Sequence, residues 1–419
     1  MIRFDPAYTF RALRYRNFRL FFFGQGLSLI GTWLQQVAMG WLTYHVSSSA
    51  WLLGVIAFCA NIGYFGLSPF IGVLVDRVDR RRTLLLTQSL LLLQAAVLAA
   101  LVAFGHVTEW QLVAFALWLG LVSAFDVPLR QSIYVHLVDD RVDLPNAIAL
   151  NSFLVNAARV IGPATAGLLI ALVGEAACFA LNALSFVAVL VAVSRIHWPH
   201  AVAKATGGWW ASWVEGARYV AGFPPARALL ALVAALAWTI TPYSSLMPIY
   251  ARDVYRGGPE ALGMLLAAAG AGALLTTTYL AGRDSIRGLT RVIAYAGGAS
   301  GLALAAFAYL RVLPLAMLLM AVVGGGVICA AASTNTILQS IVEDRLRGRV
   351  AGFYTMAFLG VAPLGNLAAG ALATAIGVKA TFLLNGALAV AAAAWFRRAL
   401  KSFGPLLRST YQRLGIVPD

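Results

Sequence analysis

The chain is cut into long apolar runs by short breaks that hold most of its charge. A membrane-spanning helix needs about 20 consecutive, largely apolar residues. Reading the chain on that basis places spans at 18–44, 51–75, 83–104, 110–137, 146–173 and 175–194, then at 226–250, 259–281, 289–310, 314–340, 350–376 and 377–396. Inside hydrocarbon every backbone N–H and C=O must find an internal partner, so each run is expected to be a helix. Composition agrees, with 61% of residues hydrophobic and 11% charged, against roughly a quarter charged in a soluble domain.

The formal charge of +15 would suit a polyanion, but its placement speaks for membrane orientation. Arg3, Arg11, Arg14, Arg16 and Arg19 precede the first run, and Arg77, Arg80, Arg81 and Arg82 break the second from the third. Arg195, Lys204, Arg218 and Arg227 flank a polar connector, Arg345, Arg347 and Arg349 precede the eleventh run, and five more basic residues follow the twelfth. The opposite breaks hold Arg252, Arg256, Arg311 and Lys379. Short loops rich in arginine stay in the cytoplasm. The alternation therefore implies an even number of spans in a bacterial-type inner membrane, with both termini cytoplasmic, and no nucleic-acid partner is expected. Met1–Arg19 is too basic and polar to read as a cleaved leader.

Enzyme chemistry is thin. Cys59, Cys178 and Cys329 lie far apart inside apolar runs, without metal-ligand spacing. His197 and His200 sit in the connector beside Pro199. No Walker A sequence and no nucleophile-elbow serine occurs. Neither a cofactor nor a metal site is expected, and the chain does not read as an enzyme.

The two halves repeat. Leu137-Val-Asp-Asp-Arg-Val-Asp-Leu-Pro-Asn-Ala147 aligns with Ile341-Val-Glu-Asp-Arg-Leu-Arg-Gly-Arg-Val-Ala351, and Ala177-Cys-Phe-Ala-Leu-Asn-Ala183 with Ala380-Thr-Phe-Leu-Leu-Asn-Gly386. This divides the chain into a first bundle (1–194), a connector (195–225) with a short amphipathic helix near Trp213–Tyr219, a second bundle (226–396) and a basic tail (397–419). Parallel six-helix repeats of this kind place a substrate site between them near the bilayer midplane.

The loop Gly72-Val-Leu-Val-Asp-Arg-Val-Asp-Arg-Arg-Arg-Thr83 resembles motif A of the major facilitator superfamily, with Asp79 where that family usually has glycine. The second half carries only a degenerate copy, Gly282–Arg291. Asp126-Val-Pro-Leu-Arg-Gln131, Leu144-Pro-Asn-Ala147, Gly162-Pro-Ala-Thr-Ala-Gly167, Trp213-Val-Glu-Gly-Ala-Arg-Tyr219, Tyr250-Ala-Arg-Asp-Val-Tyr255 and Leu346-Arg-Gly-Arg-Val350 resemble the enterobactin-exporter-like, or transmembrane secretion effector, group of that superfamily. The resemblance spans nearly the whole chain. It implies the major facilitator fold, twelve helices in two bundles related by a pseudo-twofold axis. It also implies a gating role for Gly72, Asp76, Arg77, Arg80 and Arg81, as a cytoplasmic latch reaching toward the eleventh helix near Val350. Gly162, Pro163 and Gly167 resemble the end of motif C of drug/proton antiporters, although the upstream glycines of that motif are missing. A packing kink explains them equally well.

Ionisable groups at membrane depth are functional candidates. Asp126 and Arg130, four residues apart, can pair on one helical face, with Pro128 between them expected to distort the helix; Arg159 lies in the next span. Asp126, Arg130 and Arg159 are therefore candidates for proton coupling, and a static bridge from Asp126 to Arg130 or Arg159 is the alternative. For the substrate cavity the polar stripe of the first span supplies Gln25, Thr32 and Gln36, the fifth Asn156 and Arg159, the seventh Trp238 and Tyr243, and the tenth Asn335. Such stripes also serve as glue between helices. The expected activity is proton-coupled export, by alternating access, of a small amphipathic molecule such as a drug, siderophore or secreted metabolite. A lysophospholipid flippase or solute importer of the same fold is the alternative, and a receptor the reading from another class. The expected partners are a small-molecule substrate, protons and the lipid bilayer, with the chain acting as a monomer.

Overall fold

The computed structural model describes residues 9–66, 78–196, 198, 209–283 and 285–413. The first half contains α1 (Arg16–Ser47), α2 (Ala50–Gly66), α3 (Arg80–Ala103), α4 (Glu109–Ile133), α5 (Leu144–Val173) and α6 (Glu175–Arg195). The connector forms α7 (Trp209–Gly222). The second half contains α8 (Pro224–Thr239), α9 (Tyr243–Ile249), α10 (Pro259–Ala281), α11 (Leu289–Phe307), α12 (Leu313–Ile341), α13 (Asp344–Thr355), α14 (Val361–Ile376) and α15 (Val378–Arg413). Ten segments among the described residues are long and apolar enough to cross a membrane. The polar α1 and the 17 described residues of α2 stand at the places of the first two expected spans.

Packing repeats between the halves. In the first, α1 lies against α5 and α6, α2 against α4, and α3 against α6. In the second, α8 lies against α14 and α15, α10 against α12, and α11 against α15. Two seams join the halves, α5 on α10 and α2 on α14. Exchanging the halves turns one seam into the other, which is the symmetry of a twofold axis between them. The turns before α6 and α15 repeat too: Gly174 and Gly377 take φ of +83° and +82°, a region that side chains with a Cβ avoid.

Both seams depend on glycine. A Cβ on Gly54 would strike backbone of Asn366 and Gly370, and one on Gly167 would strike backbone of Pro259, Glu260 and Gly263. Without a solvent-driven force between helices in lipid, such close approach is what holds them together.

Several expectations need correction. The seventh span is not one helix over 226–250. It stops at Thr239, resumes at Tyr243 and ends in a π turn, Tyr250–Val254. Pro242 lacks an N–H and crowds the carbonyl of Trp238 one turn back. The eleventh begins at Asp344, before the expected 350, and contains a second π turn, Met356–Gly360. The fourth span stops as an α-helix at Ile133 and gives way to a 3-10 turn, Tyr134–His136. The α-helix continues through Pro128. Finally, α15 continues to Arg413, well past 396. Phe396, Phe403, Leu407 and Tyr411 recur on one face and are buried there, so burial of an amphipathic stripe extends the helix beyond its apolar run.

Candidate transport site and coupling pair

A cavity of about 300 Å³ opens between the halves. From the first half it is lined by Thr32, Gln35 and Gln36 of α1, Asn61 and Tyr64 of α2, Ser123 of α4 and Asn182 of α6. From the second half come Ser244 and Ser245 of α9 and Asn366 of α14. Met39, Leu53, Ile56 and Phe186 supply apolar wall. Ser245 Oγ donates to Asn366 Oδ1 at 2.9 Å, and Asn61 Nδ2 donates to the Ala57 carbonyl at 3.0 Å.

From this wall a chain of amides runs into the first half. Asn182 Nδ2 donates to Gln35 Oε1 at 2.7 Å, Gln35 Nε2 to Gln94 Oε1 at 2.9 Å, and Gln94 Nε2 to the Phe115 carbonyl at 3.3 Å. Gln35 and Gln94 are buried, so each bond spares a desolvated amide and fixes its orientation.

Asp126 is fully buried in the first half. Its Oδ2 lies 2.7 Å from Arg130 Nε, and its Oδ1 accepts from Thr87 Oγ1 at 2.8 Å and Gln88 Nε2 at 2.7 Å. The bridge formed is thus the i, i+4 one, to Arg130 and not to Arg159. Neither Asp126 nor Arg130 touches the cavity, but Tyr64, which does, feels both charges.

Of the residues selected from sequence, Thr32 and Gln36 line the cavity, and the others lie outside its lining. Gln25 is buried within the helix packing, and Asn156 donates to the Ser152 carbonyl of its own helix. Asn335 is half-buried on α12. The backbone of Trp238 receives Gly365, leaving its ring partly exposed. Arg159 and Tyr243, on opposite halves, are within electrostatic reach of each other, and the Arg159 backbone packs against Gly270. Asn61, Ser123, Ser245 and Asn366 were not singled out from sequence. Each is an isolated polar residue on an apolar helix, and only tertiary structure turns them to one place.

Among the gating residues, Gly72, Asp76 and Arg77 lie outside the described residues. Arg80 contacts His136 Nε2 at 2.7 Å, and Arg81 donates to the Ser194 carbonyl at 3.0 Å. Burial and the Arg80 charge hold the His136 imidazole below its usual range. Asp79 caps α3 by accepting from the Arg82 N–H at 3.0 Å, with φ of −66°. That conformation needs no glycine, which accounts for the departure from the motif. Gly162 receives the Trp33 side chain of α1. The Pro163 carbonyl and Gly167 receive Gly263 of α10, so this segment packs one helix on two others.

Both seams run from the end opposite the arginine-rich loops to mid-depth. There Gly270 meets the Arg159 carbonyl, and a Cβ on Gly360 would lie 3.5 Å from the Phe65 backbone. At that opposite end hydrogen bonds cross between the halves. Tyr44 Oη donates to Asp253, while Arg252 donates to the Tyr44 carbonyl at 3.1 Å and to Ser48 Oγ at 3.3 Å. At the arginine-rich end α13 packs on the connector helix instead. Glu215 pairs with Arg345 at 2.8 Å and with Arg349, and Trp213 lies 5.7 Å from the Phe353 ring.

Two helical bundles that close on each other at one end, around a cavity at their interface, define a secondary-transporter architecture. Residues 7–406 match the transmembrane secretion effector family, and the chain belongs to that family, within the major facilitator superfamily. It is 25% identical to the staphyloferrin A transporter of Staphylococcus aureus over 88% of this chain and 92% of that one. It is 28% identical to the multidrug efflux pump Tap of Mycolicibacterium fortuitum over 84% and 88%. Among solved structures, the fold matches an inward-facing, occupied bacterial homologue of the human lysosomal transporter Spinster with a TM-score of 0.74, at 15% identity, over 96% and 98% of the two chains.

Proposed function

We propose that this protein exports a small amphipathic organic molecule by alternating access, driven by protons moving inward through the inner membrane. The observation that carries the reading is the cavity shared by both halves, beside a seam sealed at one end by Tyr44, Asp253 and Arg252. If the arginine-rich end is cytoplasmic, as its charge argues, the sealed end is the outer one and the molecule is poised to load from inside. A relative named as a multidrug efflux pump supports the direction, and one named as a staphyloferrin A transporter supports an organic cargo.

In this reading Asp126 carries the coupling proton. Arg130, Thr87 and Gln88 enclose its carboxylate, which is completely buried. Rocking of α2 moves Tyr64 relative to the pair and changes its surroundings. Gly72, Asp76, Arg77, Arg80 and Arg81 would form the latch that closes the cytoplasmic end once cargo is bound, and the chain would work as a monomer. The test is accumulation of candidate siderophores and dyes in inside-out proteoliposomes carrying an imposed pH gradient. Coupled export requires accumulation that collapses with the gradient, and accumulation indifferent to it would turn the reading to uniport.

A further inference from the structure

We infer that the cavity selects cargo bearing an uncharged group that both donates and accepts hydrogen bonds, a hydroxyl or an amide, in preference to a carboxylate or an ammonium. The inference rests on that cavity being the cargo site. None of the residues lining it among the described ones is ionised. When a transporter occludes its cargo the surrounding water leaves, and an ion without a counter-charge is then strongly disfavoured.

The neighbouring charges lie outside the lining. Asp126 is engaged by Arg130, Thr87 and Gln88, and Arg159 is within electrostatic reach of Tyr243. Arg252 lies in a separate cavity at the sealed end, with Trp41, Tyr44 and His45.

The orientation of the lining amides sharpens the class. Asn61, on the first half, gives one Nδ2 hydrogen to the Ala57 carbonyl and keeps its oxygen as an acceptor. Asn366, on the second half, accepts from Ser245 Oγ, which also lies within donating distance of the Pro242 carbonyl, and keeps its NH2 as a donor. A hydroxyl or amide uses donors and acceptors of both halves at once and so ties them through itself. A carboxylate can only accept and an ammonium can only donate, so each leaves part of this mixed lining without a partner.

Three probes with one aromatic body test this: dansylglycinamide, dansylglycine and mono-dansylated ethylenediamine. Their binding to the purified full chain in dodecyl maltoside at pH 7 is followed by dansyl fluorescence. The neutral probe is expected to bind at least tenfold tighter than either ion. Asn366→Asp keeps the size of the side chain and its bond from Ser245 but adds a charge, and should shift the preference to the ammonium probe by tenfold or more. Tightest binding of dansylglycine, lost in Arg159→Gln, would overturn the inference in favour of an anion site while the cavity reading stands. Tightest binding of the ammonium probe by the unaltered protein would overturn it as well. Binding of none of the three would instead sink the cavity reading itself.

Discussion

The two halves share a packing plan but fill it with different chemistry. The first buries polar groups: the Asp126–Arg130 pair with Thr87 and Gln88, and the amide chain from Asn182 through Gln35 to Gln94. The second stacks rings at the end opposite its arginine-rich loops, with Tyr250 4.9 Å from Phe382 and 4.7 Å from Phe307. The second half also holds the irregular helices, broken at Thr239 and carrying π turns at Tyr250–Val254 and Met356–Gly360. Buried hydrogen bonds and ion pairs fix the orientation of the groups that make them, whereas breaks and π turns are where helices yield. On this account a stiff half carries the charge that titrates, and a yielding half moves against it.

The largest effect expected of any single change comes from breaking the ion pair. Arg130→Met leaves a buried carboxylate unpaired and should lower unfolding stability in detergent by about 3–5 kcal/mol. Replacing both partners, as Asp126→Leu with Arg130→Met, should recover most of that stability while abolishing coupled transport. If the single change costs under about 1 kcal/mol, the first half does not depend on its charges and the comparison breaks. Next comes Gln94→Leu, which orphans the Gln35 amide and should cost about 1–3 kcal/mol. A denaturant titration beside Gln94→Glu separates lost hydrogen bonding from lost volume.

Loosening the sealed end should do less. Tyr44→Phe removes one hydrogen bond between the halves, about 0.5–1.5 kcal/mol, a few-fold shift toward outward opening. Spin labels at residues 49 and 256 should report it as a longer-distance population, and an unchanged distribution would mean the glycine seams alone keep that end shut. The smallest effect belongs to His136. Because its folded imidazole titrates below the usual range, the contribution is complete above the unfolded value near pH 6.5. It falls as pH drops through that value, since only the unfolded chain then takes up the proton. His136→Gln should flatten that part of the stability profile.

Much of the fold was legible because hydrocarbon forbids charge and unpaired backbone, so apolar run length reports most of the helices. The end of α15 was not, since its final turns are ordered by burial of Phe403, Leu407 and Tyr411 under a basic surface, a tertiary effect. Within the site, the spacing of Asp126 and Arg130 was readable because it is local. Thr87 and Gln88 were not, being brought from α3 by packing. The stripe on α1 led to Thr32 and Gln36, yet Gln25, two turns away from Thr32, misses the cavity. Helical spacing shows which face a residue shares but not the depth at which the neighbouring half approaches it.

The account stands most directly on Asp126 in the amino-terminal half. With Asp126→Asn reconstituted beside the unaltered protein, cargo should still exchange down its own gradient, and an imposed pH gradient should no longer drive accumulation. A variant that accumulates cargo against its gradient as well as the unaltered protein, with the same dependence on the pH difference, would contradict it.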